Sequence, residues 1–185
     1  MVNINFNVVL KKKINSFNKS IKVDSDKSIS IRSLLIGSIS QNISLVENLL
    51  ESQDVLSTVI CLKKLGVKIK KQEGRFKIYG KGLGSFASKK NVKLNFGNSG
   101  TLARLLIGLL STNPNIVLNL TGDHSLRKRS MKKLILLMSE FGASFSPKNK
   151  FHFPLKITSS EMPIGIKYNA GVSAQLKSAV ILAGL

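Results

Sequence analysis

The sequence predicts a mixed α/β (α+β) chain built from repeated βαβαββ units, and three observations lead there. Short β-patterned runs alternate with apolar runs of helical period along all 185 residues. The order also recurs: the loop–helix junctions at Ser28, Gly100 and Ser173 lie 72 and 73 residues apart. Local residues repeat with it. Arg32, Arg104 and Lys177 each stand four residues beyond those junctions. Leu34-Leu35-Ile36-Gly37 returns as Leu105-Leu106-Ile107-Gly108, and Gly66 and Gly142 both close second helices ahead of hairpins. Such repetition means copies that bury their faces against one another, with several helix starts brought to one place.

Taken in order, Met1 to Leu10 alternates like a strand (Ile4, Phe6, Val8) and lacks the features of a signal or transit peptide. Ser20 to Val23 is a short strand, followed by the loop at Asp24 to Ser28 and a helix from Ile29 to Ile39. Ile43 to Val46 is a strand. Asp54 is placed to cap a helix running to Leu65, which Gly66 ends in a left-handed cap. Val67–Lys70 and Arg75–Tyr79 form a hairpin across Glu73-Gly74. Gly80 to Ser88 is a loop. The second copy has a strand at Val92–Phe96, a helix at Thr101–Leu110 and a strand at Ile116–Leu120. A helix at Arg129–Phe141 and strands at Ala143–Ser146 and Phe151–Ile157 complete it. The third begins with a strand at Ile164–Tyr168, a loop at Asn169–Val172 and a helix from Ser173, so the chain is expected to be truncated in its third unit.

Composition narrows the partners. Hydrophobic content of 43% with 21% charged residues suits a soluble globular chain. The net charge of +20 raises a nucleic-acid reading. Against it, the 24 Lys and 5 Arg are scattered, there is no Trp and there are two Tyr, so nothing supplies a ladder of rings for stacking bases. A site for small, multiply charged anions is the better use of the charge. The single cysteine, Cys61, excludes an internal disulfide and lies in an apolar helical series with Val55, Leu56, Val59 and Ile60. No apolar run reaches the length of a membrane span, and His124 and His152 have no partner at metal-ligand spacing.

Phe96-Gly97-Asn98-Ser99-Gly100-Thr101 is the most informative loop. A strand gives way to a tight Gly/Asn/Ser turn and then to an apolar helix. The unpartnered N–H groups of that helix start, with its dipole, favour phosphate or carboxylate. Arg104, one turn in, adds a charge or a tether. Asn98 and Thr101 are candidate caps, and Arg127, Lys128, Lys132 and Lys133 an exposed basic face.

Five stretches then stand together: Asp26-Lys27-Ser28-Ile29-Ser30-Ile31-Arg32-Ser33, Asp54-Val55-Leu56-Ser57-Thr58, Gly97-Asn98-Ser99-Gly100-Thr101, Gly122-Asp123 through Lys128-Arg129, and Ser173-Ala174-Gln175-Leu176-Lys177-Ser178-Ala179. In order and spacing the chain resembles the N-terminal part of the EPSP synthase (3-phosphoshikimate 1-carboxyvinyltransferase) family over essentially its whole length. The resemblance implies an inside-out α/β barrel of two domains, each of three βαβαββ units. Residues 1–17 would form an N-terminal strand segment packing with the second domain. Residues 18–185 would form an incomplete domain, with units at about 18–80, 91–157 and 164–185. The implied reaction, in the shikimate pathway to chorismate and aromatic amino acids, transfers the enolpyruvyl group of phosphoenolpyruvate to the 5-hydroxyl of shikimate 3-phosphate. It needs no metal or organic cofactor.

By position, the resemblance assigns Lys27, Ser28, Arg32, Ser173 and Gln175 to shikimate 3-phosphate, and Lys27, Gly100, Arg129 and Gln175 to phosphoenolpyruvate. No catalytic acid or base falls in the chain, so it is expected to be inactive alone. It further implies a cytoplasmic protein, monomeric at full length, with no nucleic-acid or membrane partner. The chain departs from the family pattern at three places: Asp24-Ser25 replaces Pro-Gly, Ser130 replaces proline, and Ala174 stands where some members have serine. The alternatives are a UDP-N-acetylglucosamine enolpyruvyl transferase, expected to carry a cysteine-bearing loop that Cys61 does not match, and a non-catalytic basic RNA-binding module.

Overall fold

A side-chain cap fixes where the first helix starts. Asp26 Oδ1 accepts from Ile29 N–H at 2.7 Å and opens α1 (Lys27–Ile39). The computed structural model describes residues 23–87, 92–169 and 171–185, with positions 9, 18 and 20 in addition. Apart from Val9, the strand expected at Met1–Leu10 and the 1–17 segment lie outside the described residues, as do positions 21 and 22 of the strand expected at Ser20–Val23.

The first unit continues with β1 (Ile43–Val46), α2 (Gln53–Lys64), β2 (Lys68–Gln72) and β3 (Arg75–Tyr79). These strands form an antiparallel sheet in the order β1-β3-β2. Glu73 and Gly74 turn the hairpin with φ of 50° and 75°, the left-handed pair that matches strand twist. The second unit holds β4 (Lys93–Asn95), α3 (Gly100–Thr112), β5 (Val117–Thr121), α4 (His124–Lys128), α5 (Lys132–Glu140), β6 (Ser144–Ser146) and β7 (Leu155–Thr158). Its sheet runs β4-β5-β7-β6, with β4 parallel to β5 and the other pairs antiparallel. The order β5-β7-β6 reproduces β1-β3-β2, so the repeat in the sequence is a repeat in space. Gly66 and Gly142, at φ of 85° and 98°, end α2 and α5 alike.

The helix α3 is largely apolar and buried along nearly its whole length, as a central helix must be. Burying Leu102, Leu105, Leu106 and Leu110 completely stabilises the fold by about 1.5–3 kcal/mol each. The helix α6 (Ala174–Ala183) lies directly against α3. The contact is close: a β-carbon at Gly108 would come within 2.5 Å of the Ala179 carbonyl oxygen. Among the described residues no helix is long and apolar enough to cross a membrane.

Three expectations need correction. The helix expected over Arg129–Phe141 begins only at Lys132, after a short helix α4 that the sequence did not announce, because Arg129 leaves the helical region (φ −82°, ψ 129°) as the C-cap of α4. The chain then turns so that Met131 N–H can donate to Phe151 O at 2.7 Å, and α5 starts at Lys132. Asp54 does not cap α2; Ser52 holds the N-cap position and Asp54 sits in the first turn. Ile164–Tyr168 is not a strand, since a strand requires a neighbour's N–H and C=O groups and this segment meets none among the described residues.

Candidate functional site

Residues from the first two turns of α1, α2, α3 and α6 line one cleft of about 240 Å³: Lys27, Asp54, Gly100, Thr101, Arg104 and Gln175, joined by Asn98 and Arg129. The repeat accounts for the convergence of α1, α3 and α6, since equivalent helices in packed units present equivalent ends. At α3, Ser99 supplies the cap, its Oγ accepting from Leu102 N–H at 3.2 Å while its carbonyl accepts from Ala103 N–H. The N–H groups of Gly100 and Thr101 are left without an acceptor among the described residues. They are free for an anion.

Three cations face one carboxylate here. Lys27 Nζ lies 3.0 Å from Asp54 Oδ2. Arg129 Nη2 donates to Asn98 Oδ1 at 2.7 Å and to Ser125 Oγ at 3.4 Å. Arg104 Nη1 donates to Gly100 O at 3.1 Å and to Gln175 Oε1 at 2.9 Å, and Gln175 Nε2 donates to Thr101 Oγ1 at 3.0 Å. Burial pushes the Arg104 guanidinium below the usual arginine range, and the Arg129 charge pushes it the same way. An anion between the two arginines would relieve that repulsion. Gly100 sits between them: a β-carbon there would lie 2.7 Å from Arg104 Nη1 and 3.3 Å from Arg129 Nη1.

The cleft therefore gathers Lys27, Gly100, Arg129 and Gln175. Ser28, Arg32 and Ser173 do not line it. Ser28 is half-buried in the first turn of α1. Arg32 donates to Ser28 O at 3.2 Å and to Ser178 Oγ at 3.1 Å, tying α1 to α6 beside a small apolar groove. Ser173 caps α6 through Leu176 N–H. Four lining residues had other readings in the sequence: Asp54, Asn98 and Thr101 as caps, and Arg104 as a charge or tether. Arg104 is a tether of α3 to α6, and the four-residue spacing it shares with Arg32 was its signal. A larger cavity of about 470 Å³ lies at the opposite ends of α3 and α6, beside Leu109, Phe141 and Leu182, with no ionisable side chain among the described residues that line it. Among the described residues no His, Cys, Asp and Glu side chains gather into a group able to hold a metal.

Residues 11–185 match the family model described as EPSP synthase (3-phosphoshikimate 1-carboxyvinyltransferase). The chain is 42% identical over 168 residues to the 3-phosphoshikimate 1-carboxyvinyltransferase of Paramagnetospirillum magneticum, covering 90% of this chain and 37% of that protein. To that of Syntrophomonas wolfei it is 38% identical over 179 residues, covering 94% and 41%. A solved structure, EPSP synthase from Acinetobacter baumannii, superposes with a TM-score of 0.81 at 36% identity, over 89% of this chain and 38% of that one. The chain spans about two fifths of the length of these relatives. With the family match reaching from residue 11 to residue 185, the chain belongs to the EPSP synthase family.

Proposed function

We propose that the chain supplies one wall of an active site in which the enolpyruvyl group of phosphoenolpyruvate passes to the 5-hydroxyl of shikimate 3-phosphate, with release of phosphate. One observation carries the reading: Lys27, Gly100, Arg129 and Gln175 line a single cleft that has three cations against one carboxylate. Phosphoenolpyruvate is a phosphate and a carboxylate on three carbons, so it suits paired guanidinium groups and open helix N–H groups. Arg129 offers two parallel donors to one anionic group, and Lys27 a compact charge to the anions of both substrates. Ser28, Arg32 and Ser173, on the adjoining face of α1 and α6, would meet shikimate 3-phosphate. Among the described residues Asp54 is the one carboxylate that lines the cleft, and it is paired with Lys27. The reading therefore assigns proton transfer to groups outside this chain, and assigns the chain itself binding without turnover.

The UDP-sugar alternative expects a cysteine-bearing loop. Cys61 is instead fully buried in α2, with its Sγ donating to Asn95 O at 3.4 Å, which favours the shikimate reading. A cytoplasmic setting belongs to the same proposal.

The test is a calorimetric titration of the chain with phosphoenolpyruvate, and with shikimate 3-phosphate, for the wild type and for Lys27→Ala and Arg129→Ala. Each substitution should weaken phosphoenolpyruvate binding by about 1.5–3 kcal/mol, the scale of hydrogen bonds to charged groups. Equal affinities across the three proteins would refute the assignment.

A further inference from the structure

We infer that Arg104 is a positioning residue that decides which end of the Gln175 amide is presented to the cleft, an inference that rests on the anion-binding reading above. Donor chemistry carries it. A guanidinium has five N–H donors and no acceptor, so the amide atom 2.9 Å from Arg104 Nη1 has to be the oxygen. The nitrogen then lies on the Thr101 side and donates to Oγ1 at 3.0 Å. Its second N–H has no partner among the described residues. Thr101 Oγ1, having accepted from the amide, keeps its own proton to donate. The series Arg104, Gln175, Thr101 thus turns only donors toward the cleft that Gln175 and Thr101 line. Reversed, the amide would put its oxygen against a carboxylate or phosphate oxygen and repel it.

The first unit shows what is particular to this arginine. Arg32 makes the same bond to the carbonyl four residues back, at 3.2 Å, and also reaches α6. Its partner there is the Ser178 hydroxyl, which accepts from it and spends its own single proton on Ala174 O at 2.9 Å, so no donor is passed on to a neighbouring side chain. Only in the second unit does the repeated arginine meet an amide.

Two measurements on the 15N-labelled 185-residue chain test this. In the ligand-free chain, the side-chain amide resonances of Gln175 should be displaced from those of a solvated glutamine. In Arg104→Gln they should move to the solvated positions while the melting temperature stays near that of the wild type. Arg104→Lys keeps a donor-only head group, so its Gln175 resonances should stay displaced; this variant carries the test if Arg104→Gln loses its fold. In titrations with phosphoenolpyruvate, Gln175→Ala should weaken binding about tenfold and Arg104→Gln, which also removes one of the charges in the cleft, at least as much, while the double variant should bind no more weakly than Arg104→Gln alone. Effects that multiply to about a hundredfold would show that Arg104 acts independently of Gln175 and would overturn the inference. So would Gln175 resonances that ignore the loss of Arg104. A chain that binds no phosphoenolpyruvate, yet whose Gln175 resonances respond as described, removes the anion-site reading and leaves the orienting role of Arg104 intact.

Discussion

Lys27 and Asp54 meet at the starts of two different helices, Nζ 3.0 Å from Oδ2, with the lysine side chain half exposed and the aspartate largely covered (50% and 18%). Both line the cleft. The carboxylate acts as a built-in counter-ion that an entering anion has to compete with. As a half-exposed pair it contributes little to stability, about 0–1 kcal/mol.

Asp54→Asn should therefore leave the melting temperature nearly unchanged and tighten binding of inorganic phosphate. Two unit charges about 5 Å apart at an effective dielectric between 20 and 80 interact by about 1–3 kcal/mol, and the exposed lysine places the outcome at the low end, near threefold to tenfold. Calorimetric titration with phosphate measures it. Weaker binding in the variant would mean that Asp54 serves to hold Lys27 in place rather than to neutralise it.

Gly100→Ala should spare the fold and impair the cleft. Both atoms that the new β-carbon would crowd, Arg104 Nη1 at 2.7 Å and Arg129 Nη1 at 3.3 Å, are the far ends of flexible side chains. They can move, but only out of the positions that flank the open N–H groups. Affinity for phosphoenolpyruvate should fall about tenfold or more, corresponding to the loss of one charge-assisted hydrogen bond, with a smaller effect on shikimate 3-phosphate. Parallel titrations with the two ligands decide the point; equal losses count against an approach of phosphoenolpyruvate to this backbone.

How much of this was legible in the sequence follows from how far apart the interacting residues lie. Caps and repeats are local, so Gly66 and Gly142, the Leu34–Gly37 and Leu105–Gly108 repeat, and the Glu73-Gly74 hairpin could be read directly. Asp54 was read as a cap because its partner, Lys27, lies 27 residues away along the chain, beyond any local rule. Arg104 could be narrowed only to a charge or a tether, since Gln175 is 71 residues away. The break after Arg129 depends on Met131 finding Phe151 O, whereas Lys132 to Glu140 by itself continues a helical pattern. Ile164–Tyr168 has the alternation of a strand, but a strand is a property of two segments and periodicity describes one.

Cys61 gives a pH prediction. Burial pushes its thiol up to about 12 from 9.0, against a smaller opposing pull from Lys64. Between those values the unfolded chain has lost the thiol proton and the folded chain retains it. Stability therefore falls as pH rises, by up to about 1.4 kcal/mol per pH unit from this group, and is unaffected by it below pH 9. Urea unfolding of wild type and Cys61→Ala at pH 7, 9, 10 and 11 separates this from the lysines, which both proteins share. The wild-type advantage should be constant to pH 9 and shrink above it. A constant difference up to pH 11 would mean that the thiol ionises as freely in the folded chain as in the unfolded one.

Gly108→Ala tests whether helix packing sets the geometry of the cleft. The added β-carbon would stand 2.5 Å from Ala179 O and 3.0 Å from Ala179 Cα. These are backbone atoms that no rotamer change can remove, so α3 and α6 have to separate. Alanine recovers about 1 kcal/mol of helix propensity, and overpacking costs about 1–3 kcal/mol; because the clash is with backbone, a net loss toward the upper end of about 0–2 kcal/mol is expected. Because Arg104 on α3 donates to Gln175 on α6 at 2.9 Å, the same separation stretches that bond, and phosphoenolpyruvate binding should weaken although Gly108 does not line the cleft. Gly165→Ala is the control: its β-carbon meets nothing within 4 Å, and its stability should stay within about 0.5 kcal/mol of wild type. Urea unfolding and a phosphoenolpyruvate titration of both variants give the answer. A Gly108→Ala chain that is destabilised yet binds as the wild type does would separate the α3–α6 contact from the site.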